Sequence, residues 1–124
     1  MELSTKLYLL DDNGDKFMGI GVLWLLEAIE ESSSLREAAK KMNLSYSKAY
    51  GMLSHLENSL GRPIVERKKG GQSREGVQLT SFAKTFVAIY NKFQNNAKIG
   101  MESYYREFLK DFDHLMEAEN VKAE

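Results

Sequence analysis

Two serine-led helical segments separated by a very short spacer set the tightest limit on what this chain can fold into. Residues 34–42, SLREAAKKM, and 45–57, SYSKAYGMLSHLE, each begin with a serine whose hydroxyl can accept from a free backbone N–H of the first turn. In the first segment Glu37 stands three residues after Ser34, the spacing of a capping box. Leu35, Ala38, Ala39 and Met42 share its inner side, and the paired alanines allow a neighbouring helix to cross closely. In the second segment Ala49, Leu53, Leu56 and Leu60 recur at helical spacing. Asn43 and Leu44 leave room only for a turn. The pattern predicts a helix-turn-helix over residues 34–60, with its second helix held from behind. The outward face of that helix carries Tyr46, Ser47, Lys48, Tyr50, Gly51 and Ser54, small or hydrogen-bonding residues with one cation near the start. Such a face suits a DNA major groove.

The flanking segments supply two candidate hairpins. An apolar run to Leu10, the turn sequence DDNGDK and the run FMGIG predict the first, within residues 4–19. Asp11, Asp12 and Asp15 resemble part of a calcium loop, but the downstream glutamate of an EF-hand is missing, and a plain turn is the expectation. Val22, Leu25, Leu26 and Ile29 then mark a helix ending in the serine run at Ser32. After Leu60, Gly61 and the single proline, Pro63, form a stop signal. Ile64–Val65 and Val77–Leu79 read as strands of a wing spanning residues 64–79. Their connection, KKGGQSREG, offers Lys68, Lys69, Gly70, Gly71 and Arg74 to a phosphate strand or minor groove, against the plainer reading of a solvated loop. No nucleotide-binding glycine motif occurs.

From Thr80, a helix cap, apolar residues recur three or four apart through Phe82, Phe86, Ile89, Phe93, Ala97, Met101, Tyr104, Phe108, Phe112 and Leu115. A domain of this size cannot cover the whole stripe, so residues 80–119 are expected to form a dimerisation helix using Phe93, Tyr104, Phe108, Phe112 and Leu115. Gly100 is expected to bend or break it, and the polar tail from Glu117 to fray. The fold class is therefore mainly α with small β-hairpins, a winged helix-turn-helix over residues 1–95 followed by a long C-terminal helix.

Charge is uneven along the chain although its net value is −1. Residues 1–33 hold two cations against seven acids, whereas residues 34–74 hold nine cations against three. A positive helix-turn-helix and wing in a near-neutral chain is expected when one face meets phosphates. The absence of cysteine excludes disulfides and thiolate chemistry and fits a reducing compartment. No apolar run approaches the ~20 residues of a membrane span, so the cytoplasm is expected. Neither His55 nor His114 has a catalytic motif around it, and His114 with Glu117 offers only two potential metal ligands. No enzyme activity, metal or cofactor is expected.

The order of elements resembles the winged helix-turn-helix of LysR-type regulators and, more closely, of ModE-type molybdate-responsive regulators. The ModE-type Ser-Tyr-x-x-Ala-aromatic motif is matched by Ser45, Tyr46, Ala49 and Tyr50, with Tyr50 where tryptophan is usual. The Val-Glu-Arg, Gly-Gly and Leu-Thr elements of the wing are matched by Val65, Glu66, Arg67, Gly70, Gly71, Leu79 and Thr80. Ser33, Ser34, Leu35, Ala38, Ala39 and Lys40 match the preceding helix, and the resemblance covers residues 4–95. It implies a homodimeric bacterial or archaeal transcriptional regulator acting on a palindromic operator. Ser45, Ser47 and Lys48 would make phosphate or base-edge contacts, Tyr46 would pack on a thymine methyl or deoxyribose, Tyr50 would either reach a phosphate through its hydroxyl or prop the helix against the wing, and Arg36 would add salt-dependent affinity. Gln72, Ser73, Arg74 and Glu75 interrupt the usual wing glycines. The chain ends where the oxyanion-binding domain of ModE-type proteins would begin, so molybdate sensing is not carried over. The competing reading is a protein-contact adaptor whose C-terminal stripe binds a separate sensor protein, which would not require concentrated positive charge.

Overall fold

A computed structural model describes residues 1–68 and 76–123, the last three by backbone alone. Lys69, Gly70, Gly71 and Arg74 lie outside the described residues. The order is β1 (Leu9–Leu10), β2 (Lys16–Met18), α1 (Ile20–Ser32), α2 (Leu35–Lys41), α3 (Tyr46–Leu60), β3 (Val65–Arg67), β4 (Val77–Leu79) and α4 (Ser81–Ala123). Two compact units divide it, residues 6–89 and, separately, residues 1–5 with 90–124.

Within the larger unit, β1 and β2 pair antiparallel with Leu9 opposite Met18 and Leu10 opposite Lys16. The strands are shorter than the apolar run suggested, because the turn takes up Asp11 through Asp15. Asp11 Oδ1 accepts from the backbone N–H groups of Asn13 and Asp15, each at 2.9 Å. This is a side chain imitating backbone, as expected of a plain turn.

The helix caps explain the helix starts. Ser34 Oγ accepts from Glu37 N at 3.1 Å, and Ser45 Oγ accepts from Lys48 N at 3.0 Å. The capping box of α2 is only half made. Ser34 N donates to Ser32 Oγ at 3.3 Å, and the Glu37 carboxylate lies 3.7 Å from Lys40 Nζ. The serine run thus supplies a nearer acceptor than the glutamate. Between α2 and α3, Asn43 takes a left-handed φ of 57°, and Leu44 N closes the turn onto Ala39 O at 2.9 Å.

The core gathers Leu25, Leu26 and Ile29 of α1, Ala38 and Ala39 of α2, Ala49, Leu53 and Leu56 of α3, with Met18, Ile64, Leu79 and Ala83 closing it. Leu60 and Met42 are only partly covered, so the buried stripes of α2 and α3 are shorter than their periodicity suggested. The wing is tied to this core at its base. Ile64 is buried but precedes β3, its carbonyl accepting from Thr80 N at 2.9 Å. Val65, Glu66 and Arg67 pair with Leu79, Gln78 and Val77. Glu30 of α1 accepts from Leu79 N at 3.2 Å and lies 3.5 Å from Lys84 Nζ.

Gly76 re-enters the wing at φ 120°, where a Cβ would stand 2.9 Å from the Ser33 carbonyl oxygen. That same carbonyl accepts from Val77 N at 2.9 Å. Gly76→Ala is therefore expected to cost about 2 kcal/mol through backbone strain and loss of this bond, seen as a lower urea midpoint.

Thr80 caps α4 through Ala83 N at 3.1 Å and donates to Pro63 O at 2.9 Å. The helix runs without interruption through Gly100, so the expected break is not found, and the polar residues from Glu117 continue it to Ala123. A single glycine costs a helix interior about 1 kcal/mol, which the good helix formers around Gly100 offset. In the first turns Ala83 is buried, whereas Phe82 and Ile89 are exposed, so the inward side is offset from the aromatic stripe. In the smaller unit Tyr105 Oη donates to Met1 O at 2.8 Å. Phe93, Tyr104, Phe108 and Leu115 are exposed there, Tyr104 by 72%, and Phe112 is half-buried beside Phe108, with ring centroids 6.1 Å apart.

Candidate nucleic-acid interface

The physical basis of the site is that α3 buries one side and leaves the other exposed. Ala49, Leu53 and Leu56 face inward, while Ser45, Tyr46, Ser47, Lys48, Tyr50 and Gly51 are exposed. Ser54 is half-buried and stands at the edge of this surface. With Ser45 occupied in capping, its hydroxyl retains donor capacity toward the outside.

Aromatic and cationic groups extend the surface onto α2. The Tyr46 and Tyr50 rings stack with centroids 6.2 Å apart and planes 24° apart. Arg36 places its guanidinium carbon 4.9 Å from the Tyr46 centroid. The result is a ladder of Arg36, Tyr46 and Tyr50 that pre-orients a planar cation without neutralising it. Tyr46 and Tyr50 are four apart on one helix, a spacing that could have signalled their contact. Arg36 over Tyr46 is a contact between helices and had no sequence signal.

Lys68, just after β3, is exposed and donates to Ser33 Oγ at 3.2 Å. Ser33, whose carbonyl also accepts from Val77 N, thereby joins the α1–α2 turn to β4 and to the residue that follows β3, a role that its place in a serine run did not reveal. Between this turn, Arg36, Tyr46 and Gly76 lies an open depression of about 590 Å³.

Ion pairing separates the cations. Lys40 meets Glu37 and Lys84 meets Glu30. Lys41 hydrogen-bonds Glu31 and, with its charge, holds that carboxyl below the usual carboxylate range. Among the described residues Arg36, Lys48 and Lys68 have no carboxylate within 4.0 Å. His55, farther along α3, has Nε2 3.7 Å from Asp11 Oδ2. Among the described residues, no group of three or more His, Cys, Asp or Glu side chains is placed to hold a metal ion, and no helix is long and apolar enough to cross a membrane.

The surface lies within the segment that matches a known family. The family of bacterial regulatory helix-turn-helix proteins, lysR family, matches residues 21–84. The chain belongs to this family. Among curated relatives, the molybdenum transport protein ModE of Azotobacter vinelandii is 39% identical over 70 residues, 56% of this chain and 26% of that protein. The transcriptional regulator ModE of Haemophilus influenzae is 33% identical over 67 residues, 54% of this chain and 26% of that one. The chain thus spans about a quarter of the length of these relatives. Among solved structures, the CbnR DBD–DNA complex aligns with a TM-score of 0.53 and 24% identity, covering 68% of this chain and 92% of that one. This likeness shows the winged-helix fold. In the lysR-family segment lie α1 to β4 and the first turn of α4, whereas the β1–β2 hairpin precedes it.

Proposed function

We propose that this lysR-family chain is a DNA-binding transcriptional regulator whose α3 enters the major groove. The observation that carries the proposal is the exposed face of α3, where Lys48 and the Arg36–Tyr46–Tyr50 ladder stand without carboxylate partners among the described residues. Ser47, Lys48 and the Ser45 hydroxyl meet phosphates or base edges, Tyr46 packs on a thymine methyl or a deoxyribose, and Tyr50 reaches a phosphate. Gly51 and Ser54 keep the next turn low enough for the groove. Lys68, together with the wing residues Lys69, Gly70, Gly71 and Arg74, follows the adjacent backbone. The related ModE of Haemophilus influenzae, a transcriptional regulator by name, and the fold shared with the DNA-bound CbnR domain support the same reading.

The exposed residues Phe93, Tyr104, Phe108 and Leu115, with Phe112 beside them, support a homodimer joined through α4. Two reading helices related by a twofold axis require an inverted repeat, with half-sites about 34 Å apart or a multiple of that. The regulator acts in the cytoplasm, where its DNA is.

Selection of fragments from a random duplex pool by the purified chain tests this. Retained fragments are expected to share an inverted repeat. Failure to retain any duplex at low salt rejects the regulator reading. Retention of fragments without a repeat rejects the palindromic operator alone, and a monomer in sedimentation at the working concentration rejects the homodimer.

A further inference from the structure

The β1–β2 hairpin lies outside the segment that matches the lysR family, yet it borders the reading helix. Lys16 of β2 and Lys48 of α3 stand on one open groove of about 590 Å³, with Ser45 and Ser47 on the same rim. Phe17, Val22 and Met52 supply apolar lining. Lys16, like Lys48, has no carboxylate within 4.0 Å among the described residues. We infer that this groove is a second DNA contact, in which Lys16 takes a backbone phosphate beside the one met by Lys48. The inference rests on the DNA-binding reading above.

Three features favour a phosphate strand here. Lys16 Nζ lies 4.1 Å from the centroid of the Tyr8 ring, which orients the ammonium and leaves its charge available. Tyr8 lies against Gly19, where an added Cβ would come within 2.8 Å of the ring, so the exposed ring under Lys16 is backed on one side by the backbone that follows β2. Two cations and three apolar side chains lining one groove suit the phosphates and deoxyriboses of a strand.

The hairpin also sets a limit. Asp11 is engaged by two backbone N–H groups and lies near His55, whereas Asp12 and Asp15 are exposed. Their charge repels a strand that advances beyond Lys16 toward the turn, so the hairpin holds the backbone at the N-terminal half of α3. Exposed charges act over a screening length of ~8 Å at physiological salt.

The test is the salt dependence of binding by the full chain to a fragment it selects, read by fluorescence anisotropy. Each phosphate contact contributes about 0.9 to the slope of log affinity against log salt, which extrapolates to about fivefold in affinity at 0.15 M. Lys16→Ala is expected to flatten the slope by about 0.9 and to weaken binding about fivefold, with Lys16→Arg restoring both. Lys16→Gln, which keeps the stem over Tyr8, is expected to behave as Lys16→Ala and decides the matter if the alanine variant unfolds. Asp12→Asn with Asp15→Asn is expected to tighten binding. Lys110→Ala, on α4, serves as the control for a general loss of charge and is expected to leave the slope unchanged. If Lys48→Ala flattens the slope while Lys16→Gln does not, the hairpin contact is overturned and the reading helix stands. Equal flattening by Lys110→Ala also overturns it. If the unaltered chain binds no duplex, both fail.

Discussion

With Arg36 and Lys48 both replaced by alanine, affinity for selected DNA is expected to fall about thirtyfold at 0.15 M salt, and the log–log salt slope to flatten by about 1.8. The size follows from two phosphate contacts of about 0.9 each, and the two binding curves should converge near 1 M salt. The pair is the sharpest test because the two cations sit on different helices. Arg36 is held over the Tyr46 ring of α3, so removing it also frees the first rung of the ladder. Arg36→Lys should keep most of the slope while losing part of the affinity, since an ammonium keeps the charge but not the planar stacking of a guanidinium. Parallel salt curves for the unaltered and double-alanine chains would show that these cations do not meet phosphates.

Leu56→Ala is expected to lower the stability of the larger unit by about 3 kcal/mol and its melting midpoint by about 15 °C. Leu56 is 0% exposed and is among the largest fully buried side chains, so truncation leaves a cavity behind the reading helix. Leu60→Ala should cost less than half as much, because Leu60 is only partly covered and the gap can fill with water. The single tryptophan, Trp24 on α1, reports this unit by fluorescence without interference from the far end of α4. A Leu56→Ala loss below about 1 kcal/mol would mean that α3 is held by something other than its inward leucines. The proposed role of α3 depends on this packing, because a face can be presented to DNA only by a helix fixed from the other side.

Local chemistry was legible wherever it concerned neighbours in sequence. Ser34 and Ser45 announced the starts of α2 and α3, Asn-Gly announced the β1–β2 turn, and Gly61 with Pro63 announced the end of α3. The winged helix-turn-helix and long final helix followed from their order. Errors arose where two local options competed. Glu37 had the spacing of a capping box, but Ser32 offered Ser34 N a closer acceptor and Lys40 offered Glu37 a charge. Gly100 suggested a break, yet one glycine in 43 helical residues is a small perturbation. The periodic aromatic stripe of α4 was visible, but periodicity alone did not say that Ala83 would face inward while Phe82 and Ile89 faced out.

By itself, then, the sequence determined the starts of α2 and α3, the end of α3, most of its buried stripe, the polar character of its opposite face and the concentration of positive charge around it. These depend on interactions within a few residues, where side-chain type and spacing suffice. Only the tertiary structure decided that Arg36 stacks on Tyr46, that Ser33 joins Lys68 and Val77 at the wing base, and that Lys16 shares a groove with Lys48. Each joins residues on different elements, and such contacts depend on how whole helices and hairpins pack, which no local spacing records.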